Sequence, residues 1–581
     1  MKSKKLLRIG LVTISFLLIL VPRVTDLGTV ATTDEPVWIY RNNLFLEYVS
    51  TGEFAKTFVT PHPGVTLMWI GSGSQLLDDA VRKMGLAGKA ETETLREPHS
   101  RKKHQLKVVQ RGVAIVVSVF LFLACLWLAR AMQSDTVLIL AALLVGLDPF
   151  AVGLSRIFHL DALLAAFVLG SCIAMVRFLV PGGLSSAQEM PRRLSWLVAS
   201  GLLTGLGFLT KTTGAILLPW VLAFLLASGW VLSSGRHERG WPRLFWVISW
   251  GAKRWFVWCM VIAATVVALW PAMWMDPIGV LVSLTKGVLW AYETPHFAAT
   301  DSAPVLDLLK NYFLRYPIFI AFWIPWMLVL CALSGLVLFI QRRSRHTVVF
   351  SEVANPISTT HFGQREWLLI FVALISLTLL FPLGLGYFQK QAARYLLTSF
   401  IAIDLIVAIL CWRITVEFKY TWPDLRGAIS SLSGALVLFL GIFCWTTVYQ
   451  WLPYATTYRN PWWSELPING KPLLRGWSEG LELVADRLHQ LENSKHLTVA
   501  VQNMGVLRIF FRGTSVGYTS VLEGTADLIV LHRTFVEQYT RHPFIENIRD
   551  QNQLLDTVYL PQDSDNPVAW IYWAKEYPAA E

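Results

Sequence analysis

Charge is scarce in this chain. Only 15% of its 581 residues are Asp, Glu, Lys or Arg. A soluble domain carries about a quarter, so the balance excludes an ordinary water-soluble enzyme. Cysteine is scarce as well. Six residues with no CxxC pair exclude a disulfide framework and a cysteine zinc site. No internal repeat or low-complexity stretch is apparent. Disorder is excluded by 13% aromatics and a mean hydropathy of +0.49. Tryptophan is abundant at 26, which suits residues placed at membrane interfaces.

The charge that is present is uneven. From Pro453 onward there are 11 basic and 15 acidic residues, giving −4 and leaving +15 on the rest. The basic residues sit between long apolar runs. Loops between membrane spans explain this better than a nucleic-acid partner.

A helix needs about 20 apolar residues to cross the hydrocarbon core. Eleven runs qualify: 6–24, 108–130, 136–152, 162–180, 194–210, 213–231, 256–274, 318–340, 367–385, 396–412 and 429–449. The start MKSKKLLR precedes the first, and no A-x-A-like site follows, so it reads as an uncleaved span. Lys2, Lys4, Lys5 and Arg8, then Arg192 and Arg193, the stretch 236–254, and Arg342, Arg343 and Arg345 fall on one side. That side is cytoplasmic, with the N-terminus inside and the C-terminus outside. The basic stretch 82–107 resists this scheme, but it lies in a long first loop, 25–107, which escapes the charge rule. Residues 64–77 read as a helix on or dipping into the membrane surface.

The expected fold class is therefore mainly α. A polytopic membrane helix bundle of about 11 spans occupies residues 1–450, and an extracytoplasmic α/β domain occupies 451–581. In the latter, an amphipathic helix over 479–491 precedes strand-like runs at 497–501, 528–531 and 569–573.

Polar residues collect on the outer side. The first loop holds Asp34-Glu35-Pro and Thr-Pro-His62-Pro-Gly. A later loop reads Ser155-Arg156-Ile-Phe-His159-Leu-Asp161, and a tight hairpin holds Lys211. Glu293-Thr-Pro-His296 and Lys390-Gln-Ala-Ala-Arg394-Tyr395 complete the set. Each has a plainer reading when taken singly. Asp34 and Glu35 are solvated acids, Lys211 and Arg394 snorkel to headgroups, Arg156 and Asp161 form a structural ion pair, and His62 and His296 are packed or surface residues. Ionisable residues at membrane depth are costly, however, and several on one face favour a cavity. Carboxylates with cations suit transfer from an anionic lipid carrier: one takes a proton from a hydroxyl, the others hold a leaving phosphate.

These stretches resemble, in order and on the expected side, the C-type-fold membrane glycosyltransferases of the protein O-mannosyltransferase and aminoarabinose transferase group. The matching residues are Asp34-Glu35, His62-Pro63-Gly64, Ser155-Arg156 with Leu160-Asp161, the stretch from Gly201 to Lys211, and Lys390 with Arg394-Tyr395. The resemblance covers about residues 5–450. It implies eleven to thirteen spans, a polyprenyl-phosphate-linked sugar as donor, and transfer to a hydroxyl of a protein or glycolipid at the outer face of the cell membrane. It makes Asp34 the general base, with Glu35 supporting or orienting it. Arg156, Lys211, Lys390 and Arg394 would hold the lipid phosphate, while Asp161, His159 and Tyr395 would position acceptor or cations. Gly64 stands where the family often has a second proline. Pro61 stands where the aminoarabinose enzyme has a Glu that helps bind a metal, which leaves His62 and His296 as candidate ligands of a divalent metal ion. Trp462-Trp463 is followed by Ser464, not Asp, so the oligosaccharyltransferase motif is rejected. Residues 476–480 read as a linker. The rival readings are a transporter or flippase of lipid-linked sugars and a non-catalytic receptor. Nucleic acid is not an expected partner.

Overall fold

The computed structural model describes residues 2–86, 97–179, 186–233, 240–293, 364–387, 393–458, 477–539 and 542–574. The expected span 318–340, the cations Arg342, Arg343 and Arg345, and also His296, Lys390, Trp462 and Trp463 lie outside these residues.

The chain is a multi-pass membrane protein, mainly helical, with a sheet near its C-terminal end. Among the described residues, eight helices are long and apolar enough to cross a membrane, or nine with one bent pair. The order is α1 (Lys2–Val24), α2 (Glu35–Ser50), α3 (Val65–Lys83), α4 (Pro98–Ala131), α5 (Asp135–Gly146), α6 (Pro149–Ser155), α7 (Leu160–Leu179), α8 (Ser186–Thr210), α9 (Leu217–Leu232), α10 (Trp241–Leu269), α11 (Pro277–Glu293), α12 (Gln364–Tyr387), α13 (Leu397–Thr421) and α14 (Arg426–Trp451).

Three expectations need correction. The run 136–152 is not one span but α5 and α6, bent by 69°. Pro149 lacks an N–H for the helical ladder and pushes Asp148 out of the helical region. Asp148 then caps the second piece, its Oδ1 accepting from the Ala151 N–H at 2.6 Å. The span expected from 108 starts earlier, at Pro98. Its 34 residues reach about 50 Å, well past a core of about 30 Å. The basic stretch around Arg101–Lys107 therefore rides largely on a projecting helix end rather than a loop. There Leu106 enters the hydrophobic core of the sheet region, and Lys103 Nζ lies 5.4 Å from the Phe510 ring. Likewise Arg243 and Arg254 belong to α10, not to a loop, and each guanidinium stacks at 4.1 Å on a tryptophan, Trp230 and Trp250.

The centre of the bundle is α7, almost wholly buried. Small residues let its neighbours approach. Ser171 bonds Thr204 Oγ1 at 2.7 Å and Ser200 at 3.0 Å across to α8. On the other face of α8, a Cβ at Gly201 would meet Val261 at 2.9 Å, and one at Gly205 would meet Thr265 at 2.7 Å. In lipid, such close backbone packing replaces the hydrophobic drive. This explains the glycine-rich run that ends at Lys211.

After α14 come α15 (Leu481–Leu488), β1 (Thr498–Val501), α16 (Met504–Phe510), β2 (Thr514–Val516), β3 (Leu528–His532), β4 (Gln553–Leu560) and β5 (Asp563–Trp573). The sheet order is β2-β1-β3-β5-β4, parallel within β2-β1-β3 and antiparallel beyond. Val499, Val501, Leu528 and Val530 face one core, while Ala500, Ile529 and Leu531 face another. Burial on both faces produces the unbroken apolar runs seen in the sequence. β2 and β4 escaped the sequence reading, being short or largely exposed.

Burial also pushes the Glu482 carboxyl in α15 up to about 7, from an ordinary 4.5. The folded state therefore holds the proton more tightly than the unfolded chain. Stability from this group is complete below about 4.5 and falls as pH rises to about 7, by roughly 3 kcal/mol in all. Glu482→Gln should flatten that dependence in thermal melts at pH 5 and pH 8; an unchanged slope would refute the assignment.

Candidate active site

Two buried helix starts and one helix end build the site. Asp34 sits at the N-cap of α2, its side chain 37% exposed and making no cap bond. Asp161 is the second residue of α7, 3% exposed. Lys211 follows the end of α8. There Gly214 packs on Gly207, where a Cβ would lie 2.8 Å from backbone. Gly64 fixes the facing loop: its N–H donates to Thr210 O at 3.1 Å, its φ is +58°, and a Cβ would strike Trp38 at 2.3 Å. A glycine is thus required where the resemblance suggested proline.

The charged side chains converge. Lys211 Nζ meets Asp161 Oδ1 at 2.7 Å. Arg394 reaches Asp161 Oδ2 through Nε at 3.6 Å and Asp34 Oδ2 through Nη2 at 3.8 Å. His159 lies between the acids, 3.4 Å from Asp34 Oδ2 and 3.3 Å from Asp161 Oδ2. Tyr395 offers its ring to Lys211 at 4.1 Å and to Arg394 at 5.1 Å. A small cleft opens here, lined by Asp161, Lys211, Thr213, Arg394 and Tyr395. His159 Nδ1, Asp161 Oδ2 and Arg394 Nε are buried with no well-aligned hydrogen-bond partner. His159 Nδ1 and Arg394 Nε instead lie 3.3 and 3.6 Å from Asp161 Oδ2, so the three atoms face one another in a loosely aligned ion cluster.

Burial works to raise the Asp34 carboxyl. The hydrogen bond and charge of His159, with the charge of Arg394, outweigh it and hold Asp34 below its ordinary value. It is ionised at neutral pH. Glu35 is its opposite. Fully buried, it accepts from Phe158 N at 2.7 Å, Gln110 Nε2 at 2.8 Å, and Thr32 N and Oγ1 at 2.7 and 3.2 Å. Burial raises its carboxyl. It ties the first loop to α4 and to the turn before α7, and so orients Asp34 rather than sharing its chemistry.

Arg156 does not join the cluster. It is 5% exposed, with Nη1 on Pro22 O at 2.7 Å and Nη2 on Asp26 O at 3.2 Å. Carbonyls at the end of α1 attract a cation, so Arg156 staples α6 to α1 and forms no pair with Asp161. His62 is exposed. Among the described residues no three His, Cys, Asp or Glu side chains gather as metal ligands. Trp477 was missed: it packs against His159 with centroids 4.6 Å apart, and its ring lies 3.9 Å from the Arg394 guanidinium carbon. A lone Trp between Gly476 and Ser478 gave the only signal.

Residues 104–238 match the family model of dolichyl-phosphate-mannose-protein mannosyltransferases. That segment contains His159, Asp161 and Lys211, but not Asp34, Arg394 or Trp477. No curated protein matches the chain in sequence. Similar solved structures include ArnT from Cupriavidus metallidurans bound to undecaprenyl phosphate, at 13% identity and a TM-score of 0.41 over 98% of both chains. The same protein in the apo state scores 0.44 at 13% identity over 98% of both chains. The Archaeoglobus fulgidus oligosaccharyltransferase in the apo form scores 0.45 at 11% identity, over 98% of this chain and 74% of its own. The chain resembles the membrane glycosyltransferases of the dolichyl-phosphate-mannose-protein mannosyltransferase group.

Proposed function

We propose that the protein transfers a sugar from a polyprenyl-phosphate carrier to a hydroxyl acceptor at the extracytoplasmic face of the cell membrane. One observation carries the reading. Asp34, His159, Asp161, Lys211 and Arg394, from four distant stretches, converge in one charged cluster, and Asp161, Lys211 and Arg394 line a cleft beside it. Structural ion pairs need no cleft beside them.

The reaction is a single displacement. The acceptor oxygen attacks the anomeric carbon while its proton passes to Asp34. The bond from that carbon to the phosphate oxygen breaks, and its electron pair leaves with the polyprenyl phosphate. Lys211 and Arg394 neutralise the charge that grows there. Asp161 holds both cations in place, with His159 bridging it to Asp34. One displacement inverts the anomeric centre. A retaining route needs a second carboxylate as nucleophile, and Glu35 has both oxygens committed to hydrogen bonds. For the expected divalent ion, exposed His62 beside Pro61 is a poor fit, and no step is routed through a metal.

The test is purified protein with a polyprenyl-phosphate sugar. Release of free polyprenyl phosphate together with a glycosylated hydroxyl is the expected result. Movement of the intact lipid across vesicles without release would replace this reading with a flippase.

A further inference from the structure

The stretch 477–480, expected as a linker, is instead held from two sides. On one side the first loop grips it. Thr33 N donates to Trp477 O at 3.1 Å, and Thr33 Oγ1 pairs with Ser478 Oγ at 2.6 Å. On the other side it lies across the carboxyl ends of the parallel strands β1 and β3. Asn503, just past β1, donates through Nδ2 to Ser478 Oγ. His532, the last residue of β3, meets Glu479 O through Nε2 at 3.0 Å. Its Nδ1 accepts from Thr534 N, so Nε2 carries the proton and donates. Thr456 Oγ1 and Trp477 N both donate to the Glu479 carboxylate. Ser478 and Gly480 take left-handed φ values of 71° and 95°. In open α/β sheets this end of the strands, where the order reverses, is where ligands bind. Here the chain's own strap fills it.

The strap aims one side chain into the cleft. The indole of Trp477 covers the Arg394 guanidinium at 3.9 Å, and the Tyr395 ring is 5.1 Å from the same group. Arg394 Nε has no aligned hydrogen-bond partner, and its two acid contacts are long at 3.6 and 3.8 Å. The aromatic contact therefore adds to a loosely held set of polar ones.

We propose that Trp477 is a positioning residue: its π face, delivered by the C-terminal sheet region, holds the Arg394 guanidinium over Asp34 and Asp161 for the donor phosphate. The sheet region then completes the site rather than only docking an acceptor. This rests on the transferase reading for what the cation receives.

The experiment compares full-length wild type with Trp477→Leu, Trp477→Met and Trp477→Phe, using undecaprenyl phosphate binding in detergent and donor KM and kcat. A π face is the property tested, since Leu and Met keep apolar bulk without it. Leu and Met should weaken binding and raise donor KM about tenfold with kcat within about threefold, while Phe stays within about threefold of wild type. Substituting Trp477→Leu in an Arg394→Lys background should add little, because the two residues act through one contact. Equal affinity in wild type, Leu and Met overturns the inference, as does an additive double variant. A wild type that binds the phosphate but transfers nothing sinks the transferase reading and leaves Trp477 judged by binding alone. A wild type that binds nothing overturns both.

Discussion

Asp34→Asn is expected to lower glycosyl transfer about 10³-fold while the protein reaches the membrane at the wild-type level. The magnitude is that of a lost general base. The substitution keeps shape and one acceptor oxygen, so His159 retains a partner, but an amide cannot take the proton of the acceptor hydroxyl. Asp34 makes no cap bond in α2 and its side chain is 37% exposed, so with one oxygen retained the substitution costs little stability. Low kcat with unchanged thermal stability is the expected signature in a donor-hydrolysis or transfer assay. Near-normal turnover would remove Asp34 from the chemistry.

The neighbouring residue gives the reverse signature. Glu35→Ala strips four donors from three separate stretches of their acceptor. Each buried donor left unsatisfied costs about 1–3 kcal/mol, so the loss is roughly 3 kcal/mol or more. Thermal shift in detergent should fall by roughly 5–10 °C, and membrane yield should drop with it. Glu35→Gln rescues only in part, because its new amide group faces the Thr32 N–H or the Gln110 amide. A Glu35→Ala protein of normal stability that fails only in transfer would move Glu35 from anchor to reactant. Two adjacent acids, one lost in activity and the other in yield, separate the roles in a single pair of experiments.

The fold was largely legible because lipid forces long apolar runs. What escaped was local. The bend at Pro149 hid inside an apolar run of ordinary length, and the first ten residues of α4 looked like loop because they are charged. The site was legible where scarcity made charge informative, at Asp34, Asp161, Lys211 and Arg394. Arg156 carried the same signal and belongs elsewhere, because its partners are backbone carbonyls of Pro22 and Asp26 that no side-chain pattern reveals. Trp477 was illegible for a further reason. Its partners His159 and Arg394 lie 318 and 83 residues upstream, and nothing local links a tryptophan in a turn to an arginine that distant in sequence.

The bond from Thr33 to the Trp477 carbonyl joins positions 444 residues apart. Ribosomes deliver those positions in order, so Asp34, Asp161 and Lys211 enter the membrane well before the strap is made. During that interval Asp34 and Asp161 stand without the indole that packs on Arg394. Any product cut short upstream of Trp477 stays in that unfinished condition. Completion of this charged cluster is thereby tied to completion of synthesis through the strap.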